Sequence, residues 1–145
     1  MKILFVCTGN TCRSAMAEAI LRAKKIQHVA VQSAGIYAHG GEAMSAHAQA
    51  ILAEQGIPHE HKAQLLEVTQ LEWATVILTM TNAHKMTILQ AAPQYAQKLF
   101  TLHEFATAST KDVQDPYGGS KAVYTQTFQE LQQAIDQLQL TEANE

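Results

Sequence analysis

The chain has 145 residues, close to the ~150 of one ordinary domain, so two full domains are excluded and residues 1–145 read as one unit. With 47% hydrophobic and 16% charged residues, it is composed to bury a core and is neither a disordered segment nor a disulfide scaffold. Thirteen acidic residues against 10 Lys and Arg give a net charge of -3, and no basic stripe runs along the chain, which argues against nucleic acid as a partner.

Residues 2–7, ending at Cys7, form a continuous apolar run stopped by Thr8-Gly9-Asn10. The run reads as a central parallel strand buried on both faces. It is too short for a signal-peptide core or a membrane span, so a cytoplasmic protein without membrane contact is expected. A helix follows from Ser14, where residues 14–21 are strong helix formers and Met16, Ile20 and Ala23 share one face. Residues 29–34, ahead of Gly35, and residues 76–80 read as further strands, with residues 98–102 a weaker fourth. Helix-length segments lie between them at 43–54, closed by Gly56 and Pro58, and at 82–92, closed by Pro93. The last helix carries Tyr124, Phe128, Leu131, Ile135 and Leu138 at helical spacing, and the polar end, residues 141–145, is expected to fray. The alternation predicts an α/β single domain with a four-stranded parallel sheet and helices on both faces. Residues 35–42 and 105–119 are the long segments without periodicity, and such loops often shape an active site.

Chemistry concentrates in Cys7-Thr8-Gly9-Asn10-Thr11-Cys12-Arg13-Ser14, between a buried strand and a helix start, where open α/β sheets bind ligands. A loop wrapped around a tetrahedral oxyanion can aim successive backbone N–H groups at it while the helix adds its positive end. Gly9 and Asn10 both tolerate the left-handed backbone that such a wrap uses. Cys7 at the loop's start can attack phosphorus, and Arg13 at its end can clamp two oxygens with its planar fork. The helix end, Arg13 and a hydroxyl donor such as Ser14 all favour the reactive thiolate. The chain's two cysteines, Cys7 and Cys12, are not spaced as a redox or zinc pair, which points to reactivity rather than structure. His59 and His61 are close, but no acidic cluster or third ligand accompanies them, so no metal site is expected.

A leaving group must be protonated by an acid from elsewhere in the chain. Asp115-Pro116-Tyr117-Gly118-Gly119 offers Asp115 on a turn stiffened by Pro116, with Tyr117 as an apolar wall for a substrate side chain. Taken alone the segment is also what a plain turn looks like; its weight comes from the Cys-x5-Arg-Ser loop.

Together these residues resemble the low-molecular-weight protein tyrosine phosphatase family, with its N-terminal Cys-x5-Arg-Ser loop and distant Asp-Pro acid. The resemblance covers nearly the whole chain. It implies a four-stranded parallel sheet flanked by helices and catalysis through a phosphocysteine, without metal or cofactor. It makes Cys7 the nucleophile, Arg13 the phosphate clamp and Asp115 the acid, then the base that activates water. Thr8, Gly9, Asn10, Thr11, Cys12, Ser14 and Tyr117 fall at substrate-binding positions, and Asn10, Ser14, Ser33 and His61 match positions that hold the loop and thiolate. Thr11 stands where tyrosine-specific members usually carry an aliphatic residue, which makes the chain most similar to the bacterial protein-arginine phosphatases. A hydroxyl there could bond the phosphoryl group and admit an N-linked phosphate. Ala15 replaces the proline common after Arg-Ser and should leave the chemistry intact. Cys12 matches a second family cysteine, either a trap for oxidised Cys7 or a packed small residue. The expected substrates are phosphorylated proteins or peptides, phosphoarginine first and phosphotyrosine as the alternative. Arsenate reductases share the loop but relay oxidation through additional cysteines, and the sugar-transport phosphocarriers lack the arginine and the acid.

Overall fold

The computed structural model describes residues 1–140; residues 141–145, expected to fray, lie outside the described residues. Four strands, β1 (Lys2–Cys7), β2 (Ala30–Gly35), β3 (Val76–Thr79) and β4 (Leu99–Thr101), form one parallel sheet in the order β2-β1-β3-β4. β1 is central, as its unbroken apolar run requires. Ile3, Phe5 and Cys7 face one layer of helices and Leu4 and Val6 the other. Complete burial of an Ile, Leu or Phe side chain contributes about 1.5–3 kcal/mol, and Ile3, Leu4 and Phe5 are all fully buried.

The first layer is α1 (Arg13–Ala23), α2 (Ala46–Glu54) and α6 (Lys121–Asp136), packed over Ile3 and Phe5 through Met16, Leu52, Phe128 and Leu131. The second is α3 (Val68–Trp73), α4 (Asn82–Ala91) and a 3-10 turn, Pro93–Lys98, bringing Leu71, Ile88 and Tyr95 against Leu4 and Val6.

Several boundaries differ from the sequence reading. The final helix, whose stripe begins at Tyr124, starts at Lys121, where Ser120 accepts the N–H of Val123 and caps it. The fourth strand stops at Thr101, and Leu102 opens a further helix, α5 (Leu102–Thr107), inside what was expected to be strand and loop. Thr101 and Glu104 form a reciprocal capping box that starts this turn, and Ala108 in the left-handed conformation ends it. The segment expected as a helix over 43–54 is helical only from Ala46.

The order β2-β1-β3-β4 makes the chain leave β1 in opposite directions, and the crevice beyond the carboxyl ends of β1 and β3 is where such a sheet accepts a ligand. The loop after Cys7 sits there.

Candidate active site

The loop from Thr8 to Cys12 turns its carbonyls outward, and each of the following finds a donor. Cys7 O accepts the Ile36 N–H at 2.9 Å, Thr8 O the Tyr37 N–H at 2.9 Å, Thr11 O the Ser45 N–H at 3.0 Å and Cys12 O the Met16 N–H at 2.9 Å. His61 Nε2–H donates to Asn10 O at 2.6 Å. Among the described residues no backbone carbonyl takes the N–H groups of Thr8 to Cys12. The donors are left for whatever enters the loop, next to the start of α1.

Asn10 is the pivot. It is completely buried, with φ of 57° in the left-handed region that Asn tolerates. Its Nδ2 donates to Ser14 Oγ at 2.8 Å and Ser33 Oγ at 2.9 Å, and its Oδ1 accepts the Gln64 N–H at 2.9 Å. Ser33 in turn donates to Glu18. Of the two residues able to tolerate that conformation, Gly9 and Asn10, it is Asn10 that adopts it.

Gly35 explains how closely the loop lies on β2. A Cβ built there would meet Thr8 O at 2.5 Å, Asn10 N at 2.9 Å and Gly9 C at 2.9 Å, all backbone atoms. Only a residue without a side chain lets the loop pass.

Cys7 Sγ lies at the base of this cradle, buried, with Ser14 Oγ at 2.8 Å. The Ser14 hydroxyl, which accepts from Asn10, has one proton to give, with Cys7 Sγ at 2.8 Å and Ala34 O at 3.5 Å within its reach. Arg13 is buried to 4% exposure; its Nη1 donates to Val113 O at 3.1 Å, its Nη2 to Thr8 Oγ1 at 3.4 Å, and Asp115 Oδ2 lies 3.6 Å from Nη2. Val113 N–H donates to Met80 O at 2.9 Å, so the segment carrying Asp115 is pinned to the end of β3. Asp112 Oδ1 accepts the first N–H of α4, from Asn82, at 2.8 Å and adds a second anchor. Asp115 Oδ1 accepts the Tyr117 N–H at 3.0 Å, and Gly119 N–H closes a turn onto Pro116 O at 2.8 Å with Gly118 at φ +80°. The Asp115 side chain is 52% exposed, facing the cleft that Arg13 floors.

These residues line a cleft of about 250 Å³, into which Cys7, Thr8, Gly9, Asn10, Thr11, Cys12, Arg13, Asp115 and Tyr117 all face. The predicted catalytic and substrate-binding residues are therefore gathered here except Ser14, which stands behind the loop against Cys7 and Asn10, as Ser33 and His61 stand behind it against Asn10. Tyr37, His39 and Glu42 complete the rim; they come from the 35–42 segment expected to shape the site, though the sequence singled out none of them individually. Tyr37 and Tyr117 are both largely exposed at the mouth. Their signal was positional: residues just past the end of a strand paired with β1 must stand beside the loop that follows β1.

Larger grooves lie elsewhere, one of them beside His59 and His61. Both rings are engaged with backbone: His59 bonds Ile57 O at 3.0 Å and His61 bonds Asn10 O. The nucleophile, the buried arginine and the run of backbone N–H groups belong to the smaller cleft.

Two neighbouring groups titrate far from their usual values. Burial, aided by the Arg13 guanidinium and opposed by Asp112 and Asp115, holds His84 down to about 4. Its Nε2 lies 2.9 Å from Thr8 Oγ1. Burial and a hydrogen bond with Cys12 push Tyr124 up to about 12. Its hydroxyl is 3.4 Å from Cys12 Sγ, which also meets Ser45 Oγ at 3.5 Å. Both cysteines are free.

The family model described as low molecular weight phosphotyrosine protein phosphatase matches residues 2–145. A protein-arginine-phosphatase of Geobacillus stearothermophilus is 44% identical over 137 residues, covering 94% of this chain and 93% of that protein. The low molecular weight protein-tyrosine-phosphatase PtpB of Staphylococcus epidermidis is 37% identical over 138 residues, covering 95% of this chain and 96% of its own. Among solved structures, a YwlE arginine phosphatase, the C7S mutant with a phosphorylated active site serine, superposes with a TM-score of 0.92 at 41% identity, covering 94% of this chain and 92% of that one.

Proposed function

Since the chain belongs to the low molecular weight phosphotyrosine protein phosphatase family, we propose that it is a protein phosphatase that hydrolyses phosphoarginine on proteins and peptides through a phosphocysteine. The arrangement that carries this reading is the single cleft in which Cys7 Sγ, the inward N–H groups, the Arg13 fork and the Asp115 carboxyl meet.

The phosphoryl group enters the loop, where the N–H groups and Arg13 hold its equatorial oxygens. The Cys7 thiolate forms the S–P bond as the P–N bond breaks, and the electron pair leaves with the guanidine nitrogen, which takes the proton of Asp115. Asp115, now a carboxylate, accepts a proton from a water that forms the new O–P bond as S–P breaks, releasing orthophosphate and restoring the thiolate. Ser14 steadies the sulfur in both its thiolate states, and the Asn10 bonds keep the loop wrapped.

Thr11 favours phosphoarginine. Half-buried at the cleft, it presents a hydroxyl where an aliphatic wall would suit a phenol ring. The relatives named for arginine phosphatase activity support this choice, and the 37% identical PtpB supports phosphotyrosine as the second reading. Two free cysteines fit a reducing compartment, and among the described residues no helix is long and apolar enough to cross a membrane. We propose the cytoplasm as its compartment, a reading that the two free cysteines support.

Turnover of matched phosphoarginine and phosphotyrosine peptides by wild type and Thr11→Ile decides between the two. The variant loses a donor and gains bulk, so the ratio of kcat/KM values should move toward phosphotyrosine by at least about tenfold. A wild type that prefers phosphotyrosine, or an unchanged ratio, refutes the arginine reading.

A further inference from the structure

Thr8 begins the cradle and lines the cleft, yet its side chain is gripped from outside the loop. Thr8 Oγ1 lies 2.9 Å from His84 Nε2 and accepts from Arg13 Nη2 at 3.4 Å. His84 is 8% exposed, in the first turn of α4, and its ring is fixed at the other end by Thr81, whose Oγ1 is 3.0 Å from Nδ1. That same Oγ1 already accepts the backbone N–H of His84 at 3.1 Å as the cap of α4. Thr81 Oγ1 also has one proton to give, and with that proton directed at Nδ1 the ring hydrogen stands on Nε2, facing Thr8 Oγ1. Burial and the nearby Arg13 guanidinium keep the ring uncharged at neutral pH.

We infer that His84 is a positioning residue for the reaction: its Nε2–H and the Arg13 fork occupy the two lone pairs of Thr8 Oγ1, turning the Thr8 O–H into the cleft as a donor to the phosphoryl oxygens. A threonine hydroxyl left to itself rotates among several partners; one that accepts two fixed N–H groups has a single direction left for its proton. The clasp also joins Arg13 to α4, so the clamp is braced by Val113 on one nitrogen and by the Thr8–His84 pair on the other. This role rests on the phosphatase reading, because the phosphoryl group is what the hydroxyl meets.

The test separates the two ends of the ring. Asn at position 84 can keep the Thr81 bond made by Nδ1 but falls short of Thr8, whereas Gln reaches the place of Nε2. His84→Asn, His84→Gln, Thr8→Val and the two double variants are assayed as full chains for kcat and KM on a phosphoarginine peptide and on p-nitrophenyl phosphate, and for inhibition by vanadate. His84→Asn is expected to lose about tenfold in kcat/KM on both substrates, the scale of one hydrogen bond to a charged group. His84→Gln should recover most of that loss, and the difference between Asn and Gln should vanish in the Thr8→Val background. Vanadate inhibition should weaken in parallel. Equal activity of the Asn and Gln variants, or a His84→Asn loss that persists undiminished beside Thr8→Val, overturns the inference while leaving the phosphatase reading in place. A wild type that turns over neither substrate refutes both.

Discussion

Replacing Gly35 with alanine should reshape the catalytic loop while leaving the sheet intact. The added Cβ would stand 2.5 Å from Thr8 O, whereas a carbon and a carbonyl oxygen come no nearer than about 3.3 Å, so something must move by about 0.8 Å. Gly35 cannot retreat, because its N–H is bonded to Gln64 O and its carbonyl to Leu66 N–H, each at 2.9 Å. The loop moves instead, carrying Thr8, Gly9 and Asn10 off the phosphoryl site. Overpacking of this kind costs about 1–3 kcal/mol of stability, or about 2–4 °C of melting temperature per kcal/mol in a domain of this size. Misplacing reacting groups by about an ångström costs on the order of 100-fold in rate, so activity should fall far more than stability. The control is Gly56→Ala, at φ +68° with nothing within 4 Å of its new Cβ, where the backbone alone is strained. That variant should lose about 1 kcal/mol and keep its kcat/KM. Steady-state kinetics, vanadate inhibition and thermal unfolding on both variants supply the comparison. Wild-type kcat/KM and vanadate affinity in Gly35→Ala would refute the steric argument.

Cys7→Ser should abolish hydrolysis while still binding vanadate or phosphate, since the donors of the cradle are backbone; substantial turnover would assign the attack elsewhere. Asp115→Asn should slow phosphoenzyme formation most for the most basic leaving groups and least for activated aryl phosphates, and a uniform loss across a leaving-group series would make Asp115 structural. Peroxide should inactivate the enzyme reversibly with Cys12 capturing oxidised Cys7, so Cys12→Ser should recover less activity after thiol reduction; equal recovery would leave Cys12 a packing residue against Tyr124 and Ser45. His84 titrates at about 4 in the folded chain against 6.5 for an unperturbed histidine, so between those values the unfolded chain binds more protons and stability falls as pH drops. The contribution is complete above pH 6.5; from pH 7 to 5 about 1–2 kcal/mol should be lost, after allowance for screening at the cleft. Urea midpoints across this range should show a shallower slope in His84→Asn than in wild type, and identical slopes would contradict it.

The sheet was legible because β1 and β3 are buried on both faces and announce this as unbroken apolar runs, and α6 because its stripe repeats over four turns. α3, the 3-10 turn and α5 were not, since six residues complete too few turns to establish a period; the capping box at Thr101 and Glu104 was the readable clue to α5. The site divides the same way. Cys7 to Ser14 are adjacent in sequence and carry their own pattern, and the Asp115 turn is local. Tyr37, His39, Glu42 and His84 enter from segments beyond β2 and β3, and only the strand order brings them to the loop. Gly35 could be read as the end of a strand, but not as the point where another backbone passes within touching distance.

The outward anchoring of the loop carbonyls bears on how a catalytic cycle ends. With Cys7, Thr8, Asn10, Thr11 and Cys12 each tied to the surrounding frame through its carbonyl oxygen, the loop has no collapsed form to fall into when its guest departs. The cradle that receives the ester therefore meets orthophosphate with the same donors in the same places, and free phosphate should compete directly with substrate. Selectivity for a whole phosphorylated side chain over the bare ion must come from the rim, where Tyr37, Glu42 and Tyr117 stand, and a cell rich in phosphate would hold a standing fraction of such an enzyme occupied between turnovers.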